Sequence, residues 1–201
     1  ENQEEFENLL HLINHVSNNH HRDEFLFKKI FQILENYQDQ IKHTFSGFEI
    51  FDIFENNKII LLFLFDNSII SFDEGIYQKM IYKENNNNLY FFYPEIENFY
   101  GEEKVKDIKD KLLSIDPYIF NNFNEKRHKG ENDSYLSMLI REDSVEDFIS
   151  HVNLSKIPLT SKIEPSLFET NTFLIDKKPT LIEYAAFFGS IQIFKFLQMS
   201  N

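Results

Sequence analysis

The side chains best spaced for metal chemistry are Glu7, His11 and His15, set one helical turn apart near the start of the chain. On a helix such carboxylate and imidazole groups point the same way, which is how they converge on zinc. Phe6, Leu9, Leu10, Ile13 and Val16 recur at three- and four-residue intervals on the opposite face, so the histidines read as solvated polar surface rather than as ligands. His20 and His21 follow Asn18 and Asn19 and read as a polar turn. Glu142 with Asp143, and Glu146 with Asp147, have the composition of acid–base pairs, but neither pair stands beside a nucleophile. The chain has no Cys, which excludes disulfides, thiolate metal sites and cysteine nucleophiles. The five glycines, at 47, 75, 101, 130 and 189, are too scattered to cradle phosphate. Neither a Gly-x-Ser-x-Gly elbow nor a His-Glu-x-x-His pair occurs. The expectation is a chain with no catalytic site, no metal and no cofactor.

Charge narrows the partners. The net charge of −13 comes from 33 acidic and 20 basic residues. Such a surface repels phosphate backbones and anionic lipid, so neither nucleic acid nor membrane is expected. The compact basic run Lys126-Arg127-His128-Lys129 precedes Gly130; it reads as cations in a last helical turn followed by a helix stop. The most apolar stretch, Ile59 to Phe65, is bounded by Lys58 and Asp66 and is far shorter than the ~20 residues of a membrane helix. No apolar leader follows the acidic start Glu1-Asn2-Gln3-Glu4-Glu5. These features imply a cytoplasmic chain.

The elements that must carry any function read as helices throughout, giving an all-α fold. Gly and Pro, at five each, are few for 201 residues, and periodic segments alternate with short Asn/Asp/Ser punctuation. After the first helix, Asp23 starts a second through about Ile41. Phe45 to Phe54 forms another, broken at Asn56-Asn57. The continuous run Ile59 to Phe65 is read as a helix buried on most sides, because no alternating strand partner is present. A helix is expected from Asp73 to Lys83, ending at Asn85-Asn86-Asn87-Asn88. Pro94 argues against an unbroken helix around Tyr90 to Tyr93. Glu102 to Leu113 is amphipathic, and Pro117 is placed to open a helix toward Arg127. With 23 Phe, 9 Tyr and no Trp, phenylalanine does much of the core filling.

The C-terminal third carries the strongest pattern. Thr180 is suited to cap a helix, Ala185-Ala186 to let a neighbour approach, and Gly189 to make a positive-φ turn into a helix presenting Ile191, Phe194 and Leu197. A weaker copy runs from Asp133-Ser134-Tyr135-Leu136 through Arg141-Glu142-Asp143 to Phe148-Ile149, with Asp143 or Ser144 expected to cap its second helix. Matching Asp143 to Gly189 gives a step of 46, longer than the ~33 of an ankyrin repeat. The excess falls in Ser155 to Pro179, a stretch with Pro158, Pro165 and Pro179 that is expected to be one long irregular loop.

Thr180, Ala185, Ala186, Gly189, Ile193 and Leu197 resemble the ankyrin pattern, with Leu181 in place of its Pro and Glu183 near its His. More specifically, Phe123-Asn124-Glu125-Lys126-Arg127, Leu139-Ile140-Arg141-Glu142-Asp143-Ser144, Ser166-Leu167-Phe168-Glu169-Thr170-Asn171 and Pro179 to Ser190 resemble an ankyrin-associated domain of uncharacterised function that is expanded in trichomonad protists. The resemblance implies an ankyrin-like solenoid of stacked helical hairpins and a protein-binding role, and it carries no catalytic residue.

The expected organisation is a diverged helical region at 1–116 and an ankyrin-like region at 117–201, with the loop at 155–179. The expected function is a non-catalytic protein–protein interaction scaffold. The alternative is a structural component embedded permanently in a large assembly, including a cytoskeletal one. Loops on one edge of a repeat stack commonly form its binding face. Glu164, Glu169, Asn171, Asp176 and Lys177 are therefore candidate partner contacts, with Arg141 at the charged corner between helices. Phe196, Leu197 and Met199 leave no evident polar cap on the last hairpin, so further repeats or a partner are expected to cover it.

Overall fold

A computed structural model describes residues 3–20, 23–82 and 87–200 of the 201. Glu1, Asn2, His21, Lys83, Asn85 and Asn86, all named above, lie outside the described residues. The described residues form α-helices joined by turns, with a single isolated antiparallel bridge between Lys162 and Thr180 and no strand. The chain divides into two compact units, Glu1–Gly130 and Glu131–Asn201, so residues 117–130 group with the N-terminal unit.

The N-terminal unit holds α1 (Gln3–Asn19), α2 (Glu24–Asn36), α3 (Gln38–Thr44), α4 (Gly47–Phe54), α5 (Lys58–Asp66), α6 (Glu74–Tyr82), α7 (Asn87–Phe91), α8 (Tyr93–Tyr100), α9 (Lys106–Ile115) and α10 (Phe123–Lys129). Asp23 accepts from the Leu26 N–H and so starts α2. The single helix expected through Ile41 is instead two. The backbone leaves helical geometry at Tyr37, whose ring packs against Phe6, and the reset places Ile41 in the core. Ser46 and Glu49 close a reciprocal capping box on α4. The apolar run is helical, and Ile60, Leu61, Leu62 and Leu64 are all buried.

The break before α5 has a tertiary purpose. The Asn57 carbonyl oxygen of the side chain accepts from the Ile60 N–H, capping α5, while its amide donates to the Ser17 hydroxyl at 2.6 Å. Ser17 and Asn57 are buried, and Asn14 donates to the Ile53 carbonyl at 2.7 Å. This polar knot ties α1 to the α4–α5 turn; a mispaired alternative leaves the same groups unsatisfied.

Pro117 does not open a helix. The Asp116 carboxylate accepts from the Tyr118 N–H at 2.8 Å, a local turn that competes with helix formation, and α10 begins only at Phe123. Gly130 does end it, at φ +64. Arg127, however, is not a surface cation of the last turn. Its side chain lies in the core, donating to the Glu95 carboxylate and to the Phe91 carbonyl.

The C-terminal unit holds α11 (Tyr135–Arg141), α12 (Val145–Leu154), α13 (Thr172–Lys177), α14 (Leu181–Phe188) and α15 (Ile191–Ser200). A shift of 46 residues carries the start of α11 onto that of α14 and the whole of α12 onto α15. It also superposes their turns. Asp143 and Gly189 both take positive φ, +52 and +71. Ser144 donates to the Leu139 carbonyl and Ser190 to that of Ala185, the same end-of-helix closure. Thr180 and Glu183 form a second capping box. Ala185 is buried but Ala186 is exposed, and α15 buries Ile193 and Leu197, while Ile191 is 61% exposed. The loop is only partly irregular. Ile163, Phe168 and Leu174 are buried, and α13 forms within it, capped by Asn171.

Lys156 repeats the closure after α12, at φ +53 with Ile157 donating to the Val152 carbonyl. Its side chain is exposed, so the left-handed backbone costs about 1 kcal/mol with no contact to offset it. Lys156→Gly is expected to raise the unfolding free energy by about 1 kcal/mol, read as a higher midpoint in urea. Asp143→Gly relieves the same strain yet is expected to destabilise, for a reason given by its side chain below.

Candidate protein-binding face

In the C-terminal unit the first hairpin is covered by the second. Either Asp143 or Ser144 is expected to cap α12. Instead the Asp143 carboxylate accepts from the Gln192 and Ile193 N–H groups, at 3.0 and 2.9 Å, and so caps α15. A left-handed backbone at Asp143 turns its side chain away from its own helix and onto the neighbouring one. Ser144 takes the N-cap position of α12, but its hydroxyl donates to the Asp147 carboxylate rather than accepting from a backbone N–H. From the second hairpin, the buried Ser190 hydroxyl donates to the Ile140 carbonyl, and the Phe196 ring meets Phe148 edge-on. These contacts bury Ser137, Ile140, Phe148 and Val152.

One step of 46 later stand Glu183, Ala186, Phe194 and Gln198. Glu183, Ala186 and Gln198 are exposed, and Phe194 is only half-buried. The face that is covered on the first hairpin is therefore open on the second. Glu183 stays anionic there, because the Thr180 backbone N–H and hydroxyl hold its carboxyl below the usual value. Gly189, in the place of Asp143, offers no side chain to cap a following helix.

Beside this face a ledge of rings projects from α13. Phe173 is 52% exposed and stacks on Phe187 with ring centres 5.8 Å apart and planes 12° from parallel. Phe187 meets Phe188, which packs on Tyr184. The Arg141 guanidinium lies 5.9 Å from the Phe188 ring, donates to the Tyr184 hydroxyl at 3.0 Å and the Asn132 carbonyl at 2.8 Å, and pairs with Glu131 at 3.1 Å.

The loop that carries Phe173 is anchored from beneath by Glu169. This carboxylate is 6% exposed and accepts from the N–H groups of Asn132, Thr170 and Asn171, at 3.2, 3.0 and 2.8 Å. Burial raises its pKa, outweighing the three N–H donors and the Arg141 charge that favour the anion. Asn132 adds an amide bond to the Glu164 carbonyl and accepts from the Ser134 N–H.

Of the six candidate contacts, Glu164, Asp176 and Lys177 are exposed. Glu169 and Asn171 are buried, and Arg141 retains 14% of its side-chain surface; these three hold the face in shape rather than form it. The open-face residues Glu183, Ala186 and Gln198 were not singled out as contacts. Their signal lies in the sequence: polar or small residues stand one step of 46 after buried ones. Phe173 is the exposed end of the ledge.

The N-terminal histidines do not assemble a site. His11 lies 3.9 Å from Glu7 with both side chains about half exposed, and the His15 ring lies 3.2 Å from the Asn19 side-chain amide. Among the described residues no group of three His, Cys, Asp or Glu side chains is placed to hold a metal ion. No helix among them is long and apolar enough to cross a membrane.

No protein-family model matches the chain, and no solved structure matches it. A curated relative from Arabidopsis thaliana, described as a "Putative F-box protein", is 27% identical over 181 aligned residues. The alignment covers 82% of this chain and 47% of the relative, so the chain spans about half of that protein's length.

Proposed function

We propose that this chain is a non-catalytic protein-binding module, whose C-terminal unit is a stack of ankyrin-like hairpins and whose working surface is the open face of α14 and α15 with the Phe173 ledge. One observation carries the reading: of four positions buried on the first hairpin, three are exposed on the second and the fourth, Phe194, is half-buried. A repeat stack grows by covering such a face with the next unit, and contact only with neighbours leaves extended surfaces for partners. The occupant is a further hairpin or a partner protein in the cytoplasm. The likeness to a relative named as an F-box protein is compatible with a protein-interaction role and does not choose a partner. A permanent place in a larger assembly, cytoskeletal or otherwise, is the second reading, favoured by the exposed Ile191 and Met199 on α15.

Photo-cross-linking residues placed at Ala186 and Phe173 test the first reading in native extract, with Tyr82 of the N-terminal unit as the comparison site. Probes at 186 and 173 are expected to capture one recurrent protein, or a following segment of the same polypeptide, that the probe at 82 does not. Equal, unselective labelling from all three sites would overturn the assignment of this face.

A further inference from the structure

A different surface, in the N-terminal unit, leaves aromatic rings partly exposed on α4 and α8, with α6 between them. Phe48 and Phe99 are 40% and 47% exposed. Between them lie the α6 backbone at Gly75 and the Tyr77 and Tyr100 rings. Gly75 brings the α6 backbone so close that a Cβ there would lie 3.3 Å from the Phe48 ring. Next to it, Glu74 accepts the Tyr100 hydroxyl, and Tyr100 meets Tyr77 at 4.7 Å and Phe99 at 4.8 Å between ring centres. The Tyr100 hydroxyl and the Gln78 amide hold Glu74 below its usual pKa, so it remains an anion.

Two lysines of the chain show how a cation sits on this surface. The Lys79 ammonium lies 5.4 Å from the centre of the Phe48 ring, paired with Asp52 and 3.6 Å from Glu55. Lys104 lies 5.7 Å from the centre of the Tyr100 ring. A ring face bordered by carboxylates attracts a cation twice over, through its quadrupole and through the ion pair. A chain of net charge −13 also steers cationic segments toward itself and anionic ones away.

We propose that this face docks a basic segment of a partner protein, whose Lys or Arg side chains take the places that Lys79 and Lys104 hold on Phe48 and Tyr100, reach Phe99, and pair with Asp52 and Glu74. The exposed rings supply contact area at low entropic cost, and the carboxylates fix the register. The inference stands independently of the role given to the C-terminal unit.

The test is the fluorescence anisotropy of a labelled oligolysine peptide titrated with the full chain, with labelled oligoglutamate as the opposite-charge probe. Oligolysine is expected to bind and oligoglutamate not to. Replacing both exposed rings, Phe48→Ser with Phe99→Ser, is expected to weaken oligolysine binding about tenfold, as the loss of two ring–cation contacts predicts. The control Glu146→Lys, in the other unit, is expected to change it less than about twofold. If the double variant loses its helical circular dichroism, Asp52→Lys replaces it, with the same tenfold expectation. Absence of oligolysine binding at low salt overturns the proposal. So does an equal loss from Glu146→Lys, which would assign the binding to diffuse charge.

Discussion

Arg127→Ala is expected to lower the unfolding free energy by about 3–5 kcal/mol, the cost of breaking a buried ion pair from one side. The guanidinium is 2% exposed. One terminal nitrogen donates to the Glu95 carboxylate at 2.7 Å and to the Phe91 carbonyl at 3.1 Å; the other donates to the Asn124 side-chain oxygen at 2.9 Å. Its Cζ lies 5.6 Å from the centres of both the Phe91 and Phe123 rings. Truncation leaves three acceptors unmet, one of them a charged carboxylate with 14% of its side chain exposed, and a cavity between two rings. The control is Arg127→Met paired with Glu95→Gln. That pair keeps volume and removes both charges, so it is expected to recover a substantial part of the loss. Urea unfolding followed by circular dichroism reads both. An effect below about 1 kcal/mol for Arg127→Ala would mean that the guanidinium behaves as a surface cation.

Glu169→Ala is expected to cost about 3 kcal/mol, because three backbone N–H donors lose their acceptor at once in a buried site. The damage is expected to concentrate on the loop. Amide hydrogen exchange should rise at Asn132, Thr170 and Asn171 and through α13, and Phe173 should lose its fixed stacking on Phe187. The pH dependence has a definite sign. Burial raises the folded-state pKa above the ordinary 4.5, so the folded chain binds this proton more readily than the unfolded chain. Its contribution is thus fully present below about 4.5 and is lost as pH rises through the higher folded value. Compared with Glu169→Gln, the unaltered chain is therefore expected to gain relative stability as pH falls from neutrality toward 4.5. A difference between the two that is flat over that window would refute the account.

Much of the helical framework was legible because local chemistry decides it. Asp23 and Thr180 cap the helices they precede, and Gly130 and Gly189 end the ones they follow. The errors occurred where a short polar side chain had two uses for its oxygen. Asp116 turned the chain where Pro117 suggested a helix, and Asp143 capped a helix 49 residues away instead of its own. Burial of charge was hidden for a similar reason. Arg127 sits in a run of four basic residues, and only the chain folding Glu95 and Phe91 around it separates it from its neighbours.

The sequence by itself determined that this protein is helical and rich in ring packing, and that its C-terminal third is a duplicated hairpin. Capping boxes, positive-φ turns and apolar spacing act over a few residues, so they are written in adjacent letters. Tertiary structure alone decided which polar groups are buried and which faces are open. Glu169 and Glu183 have the same side chain, yet one is enclosed by three backbone N–H groups and the other faces solvent. That difference depends on residues brought together from distant positions, whose desolvation and pairing no local pattern encodes.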